Sequence, residues 1–168
     1  VDAIIDAMTG TQSQDKTPPK DIRDVAMLGK EVKSALKPNE YYEMQYAVVD
    51  ASRLTASNDI AGNPNPDYDQ SLQPRDRDKA DSLMKINNII NKVDPLQVVG
   101  NETVKNGAPV IGLDGMVESG NGRVIAFKEF YKRNNDSAKR YREFIQEHAA
   151  DYGIEGELPK HPVLVRIR

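Results

Sequence analysis

Hydrophobic positions change period several times along the chain, and each change marks an element. Ile22, Val25, Leu28, Val32 and Leu36 recur three or four residues apart, the spacing of one helix face. This predicts a helix over about 19–36, capped by Thr17 with Pro18 in its first turn and stopped by Lys37-Pro38-Asn39. Gln45–Asp50 reads as a strand. Ala80, Leu83, Ile86, Ile90 and Val93 form a second helical stripe, capped by Asp76 or Asp78 and closed by Asp94-Pro95. Leu96–Val99 and Pro109–Leu113 read as strands separated by an Asn106-Gly107 turn, and Asp114-Gly115 is a hairpin turn into a strand Met116–Glu118. Val124, Phe127 and Tyr131 share one face of the next helix. Ala138, Tyr141, Ile145, His148 and Tyr152 line another, over about 137–151, which Gly153 ends before a closing strand Pro162–Ile167. The pattern is that of a mixed α/β (α+β) domain, a small sheet flanked by helices, with no internal repeat.

Two stretches escape this periodicity. Residues 1 to 16 hold a short apolar helix candidate and a flexible lead-in, Gly10-Thr11-Gln12-Ser13-Gln14. With the helix at 19–36 they form an expected N-terminal helical extension, residues 1–45, ahead of a domain at 46–168. Thr55–Asp69 is polar and rich in Asn, Asp, Pro and Gly. Loops of that length are either functional or disordered.

Composition narrows the function classes. The 168 residues suffice for one well-buried domain. No apolar run nears the roughly 18 residues of a membrane span, and the start lacks a signal-peptide pattern. Opening on Val1 is expected of a processed chain or a piece of a longer one. The absence of cysteine removes disulfides, thiolate nucleophiles and Cys-ligated metals and fits a reducing cytoplasm. A net charge of -3 argues against strong nonspecific DNA binding through the whole surface. A local basic face is still available, from Lys128, Lys132, Arg133, Lys139, Arg140 and Arg142 on two successive helices, to touch a nucleic-acid backbone without reading sequence.

The most specific chemistry sits at Gly120-Asn121-Gly122-Arg123, where a strand passes into a helix. A helix N-terminus offers unpaired N–H groups and partial positive charge to an anion. Gly120 and Gly122 permit close approach, and Arg123 adds a forked, permanent cation. The competing reading pairs Arg123 with Asp114 or Glu118 at the edge of the core. Those two carboxylates are also the candidate catalytic groups, able to position Mg²⁺ or act as a base beside a bound nucleotide. His148 is expected to pack and His161 to begin a strand.

Five ordered motifs carry a resemblance to a known superfamily: Gln73-Pro74-Arg75, Asp94-Pro95-Leu96, Pro109-Val110-Ile111-Gly112, Asp114-Gly115 through Arg123, and Pro162-Val163-Leu164-Val165-Arg166. Over residues 46 to 168 the chain resembles the ParB/sulfiredoxin superfamily, and within it the DdrB-like ParB domains of large phage and mobile-element proteins. The resemblance implies a nucleotide triphosphate with Mg²⁺ at Gly120–Arg123, where ParB proteins have Gly-Glu-Arg-Arg. Gly120 and Arg123 match; Asn121 and Gly122 depart, and the lost arginine implies a weaker hold on a triphosphate. It also implies that Gln73 and Arg75 face the same cleft. Sulfiredoxin chemistry is excluded by the missing cysteine.

These observations imply a nucleotide-binding, cytoplasmic domain that reaches DNA through a larger protein. Two alternatives follow from the same residues. A metal-dependent nuclease would need a further carboxylate beside Asp114 and Glu118. A noncatalytic interaction or antirestriction module would make no use of Arg123.

Overall fold

A computed structural model describes residues 21–72, 80–99 and 107–168. Five strands, β1 (Met27–Lys37), β2 (Glu40–Asp50), β3 (Val110–Ile111), β4 (Val117–Ser119) and β5 (Pro162–Ile167), form one sheet in the order β1-β2-β5-β3-β4. Its central β3–β5 pairing is parallel, and the other pairings are antiparallel. Helices α1 (Ala80–Lys92), α2 (Pro95–Val99), α3 (Asn121–Arg133) and α4 (Asp136–His148) complete the mixed α/β fold that the periodicity predicts.

The stretch expected to be a helix over 19–36 is instead largely β1, preceded by a short 3-10 turn at Ile22–Asp24. Lys37-Pro38-Asn39-Glu40 is not a helix stop but a tight hairpin, with Asn39 in the left-handed region at φ 65°. The hydrophobic spacing fits either structure, and pairing with β2 decides it. Lys33 stands opposite Glu43 and Lys37 opposite Glu40, so the hairpin matches unlike charges across the strands. Gly29 lies close to the loop after α4: a Cβ there would stand 2.2 Å from the Tyr152 carbonyl oxygen. The boundary expected at residue 45 falls inside β2, which pairs with β1 on one side and β5 on the other.

Leu96–Val99 is likewise helical, not a strand. Asp94 accepts the Leu96 amide on its side chain at 3.2 Å, and its carbonyl takes the amides of Gln97 and Val98. Asp94-Pro95 therefore starts α2 as cap and first helical residue, rather than merely closing α1.

The core joins the sheet to three helices. Ile86, Ile90 and Val93 are buried from α1, and Ala138, Tyr141 and Ile145 from α4, as their stripes predict. Helix α3 buries its apolar residues: Val124, Ile125, Ala126, Phe127, Phe130 and Tyr131 are all buried. The Phe127 and Tyr141 rings stack at 4.5 Å between centroids, which fixes α3 against α4. Arg166 on β5 is fully buried and donates from Nε at 2.9 Å to the Ala108 carbonyl and from Nη1 at 2.9 Å to Ser34 Oγ.

Candidate functional site

The site is built where β4 hands over to α3. Gly120 stands between them at φ 93°, ψ 26°, a backbone state that a side chain would strain. Among the described residues no side chain caps α3, and helix geometry leaves the amides of Asn121 and Gly122 with no intrahelical acceptor, at the positive end of the dipole. The Arg123 guanidinium folds back over this turn. Its Nη2, Nε and Cζ lie 2.6, 3.1 and 3.2 Å from the point a Cβ on residue 120 would occupy. Tyr141 lies within reach of the same charge: burial pushes its phenol well above the ordinary range, and Arg123 opposes that shift. The cation is thus held at the start of α3, not turned out to solvent.

Asn121 serves a purpose its sequence position did not suggest. Its side chain is buried. Oδ1 accepts the Ser57 amide at 2.8 Å, while Nδ2 donates to Tyr68 Oη at 3.1 Å and to the Val117 carbonyl at 3.3 Å. Tyr68 Oη in turn donates to the Val117 carbonyl. Asn121 therefore straps the polar stretch 55–69 onto the site. That stretch is ordered by its own side chains. Asp59 accepts the amides of Ala61 and Asn63, Asn65 donates to the Ala56 carbonyl, and Gln70 donates to the Ser57 carbonyl. Ser57 is fully buried beside this strap, and among the described residues its hydroxyl has no hydrogen-bond partner.

Asp114 and Glu118 converge elsewhere. Both carboxylates crowd Gly112, with Glu118 Oε2 2.8 Å and Asp114 Oδ1 3.1 Å from where its Cβ would stand. Asp114 holds the hairpin by accepting the Met116 amide at 3.0 Å. Glu118 pairs with Arg168, Nε to Oε1 at 2.6 Å, and not with Arg123. Because Val117 joins the core, Glu118 points to the opposite side of its strand. Among the described residues no three His, Asp or Glu side chains gather where a metal ion could be held.

The six basic residues expected to form a nucleic-acid face do not act as one. Lys128 donates to the Ala51 carbonyl at 2.9 Å, and burial lowers its pKa although Asp50 pulls the other way. Arg133 pairs with Glu129 at 2.8 Å, and Arg140 donates to the Val93 carbonyl at 3.2 Å. Lys132 and Lys139 are exposed. His161 immediately precedes β5, its amide bonded to Asp50, while His148 is half-exposed against Phe144 and Asp151. Gln73 and Arg75 lie outside the described residues.

The family model of the ddrB-like ParB superfamily domain matches residues 37–168. The chain belongs to this family. Comparison with curated proteins and with solved structures found no match. The ddrB-like ParB match begins at the β1–β2 hairpin turn and runs through the Gly120–Arg123 turn to the closing strand, so β1 precedes it while sharing its sheet. Among the described residues of this ddrB-like ParB domain, no helix is long and apolar enough to cross a membrane.

Proposed function

We propose that this ParB-like domain binds the phosphate chain of a nucleotide triphosphate at the start of α3. The observation that carries the reading is the pairing of an uncapped, left-handed Gly120 with the Arg123 guanidinium laid across it. Together these would bring amides, dipole and a cation whose Nε and Nη2 are buried to one turn. Gly122 places no side chain at the second helical position. Asn121 would act by fixing the neighbouring loop, not by touching the ligand. Gln73 and Arg75 are the residues the ParB resemblance adds to the same cleft. Mg²⁺ would arrive with the triphosphate. The domain would work within a DNA-handling protein of a phage or mobile element.

Calorimetric titration with CTP, ATP and GTP in Mg²⁺ is the test. Heat of binding for at least one of them, abolished by Arg123→Gln, is expected; folded protein that gives none with any of the three would refute the reading. The nuclease alternative gains nothing from the geometry, because Glu118 is tied to Arg168 and, among the described residues, no third acid joins Asp114.

A further inference from the structure

A hollow of about 620 Å³ opens at the other end of α3, between α4 and the start of β5. Tyr131, Asn134, Arg142, Gln146, Lys160 and His161 line it. Two other hollows of the molecule are lined in part by carboxylates, Glu31 and Glu43 in one, Asp59 and Glu129 in the other. Among the described residues this one has none, and its charged groups are both cations.

The guanidinium of Arg142 is set in place by the fold. Its Cζ lies 5.4 Å from the centre of the Tyr131 ring, and its Nε donates to the Lys160 carbonyl at 3.2 Å. Tyr131 is itself fixed, donating to the Pro162 carbonyl at 2.6 Å, with the His161 ring 4.9 Å away. Nε is thus spent on the protein. The two Nη groups make no hydrogen bond among the described residues, so the fork is oriented but uncommitted. The end of α3 carries partial negative charge, but the Tyr131 carbonyl there is taken by the Asn134 amide. The carboxylate of Asp50, which neighbours His161, is taken by Ser52 and by the His161 amide.

We propose that this hollow is a second anion site, in which Arg142 with Lys160 holds a phosphate group of a nucleic-acid strand. A single phosphate occupies only part of the space, leaving room for the attached sugar. The site is independent of the proposed triphosphate site: Gly120 and Tyr131 are roughly 16 Å apart along α3 at 1.5 Å per residue. Of the expected basic face it takes up Arg142 alone; Lys128, Arg133 and Arg140 are engaged within the fold.

Fluorescence anisotropy with a short labelled DNA strand tests it, with inorganic phosphate and a glutamate-rich peptide as competitors. Wild-type protein is expected to bind the strand. Arg142→Gln and Lys160→Gln should each weaken binding about tenfold and lower the slope against salt by about one. Triphosphate heats should be unchanged in both variants, which separates this site from the one at α3's start. Lys160 is exposed, so its variant keeps the fold. If Arg142→Gln does not fold, the wild-type Arg142 Nε resonance replaces it, and should shift on adding the strand. The proposal is overturned if the strand does not bind, if both variants bind it as wild type does, if that resonance stays put, or if phosphate or the peptide binds here and the strand does not.

Discussion

The Arg123 guanidinium lies over Gly120 so closely that Nη2 is 2.6 Å from the position of a Cβ on residue 120. The left-handed glycine and the cation three residues later are therefore one device. Gly120→Ala should suffer twice, from φ 93° and from displacement of the guanidinium. A cost of about 1–3 kcal/mol is expected, seen as a thermal midpoint lower by several degrees and as weakened triphosphate binding. Arg123→Gln should lose triphosphate affinity with a smaller fall in midpoint.

Asn121→Ala removes three buried hydrogen-bond contacts and orphans the Ser57 amide. The expected loss is about 1–3 kcal/mol in urea unfolding. Faster proteolysis within residues 55–69 should accompany it. Unchanged cleavage there would show that the strap does not hold the loop.

Glu118→Gln tests the assignment of that carboxylate to Arg168. The pair is partly open to water, with side-chain exposures of 46% for Arg168 and 22% for Glu118. Its loss should cost less than about 1 kcal/mol. Triphosphate heats should be unchanged, and plasmid incubated with Mg²⁺ or Mn²⁺ should stay intact with either protein. Metal-dependent cleavage that the substitution abolishes would return Glu118 to the chemistry.

Asp50 gives the fold a pH dependence. Burial alone would raise its carboxyl, but the hydroxyl and amide of Ser52 and the amide of His161 outweigh burial and hold it below the usual carboxylate value. A folded value below the unfolded one contributes stability that is present above the unfolded carboxylate pKa of about 4 and is lost as pH falls through the lower folded value. Urea midpoints for wild type should drop between about pH 5 and pH 3 more steeply than those for Asp50→Asn.

What could be read from the sequence follows from how local each determinant is. The stripes of α1 and α4 and the closing β5 were legible because burial follows their own period. β1 was not, since Ile22 through Leu36 suit a helix face equally well. Its partner β2 and the close passage of Gly29 beneath Tyr152 are long-range facts. α2 escapes the local pattern because Asp94-Pro95 is at once a stop and a start. At the site, Gly120 to Arg123 is contiguous and could be recognised. The partners of Asn121 could not, with Ser57 and Tyr68 lying 64 and 53 residues away, nor could Arg168, 50 residues from Glu118.

The most direct measurement is the backbone amide spectrum of ¹⁵N-labelled protein titrated with a nucleotide triphosphate and Mg²⁺. The account predicts saturable shifts concentrated at the amides of Gly120, Asn121, Gly122 and Arg123, absent in Arg123→Gln. Shifts centred on other residues, with those four amides unmoved, would contradict it.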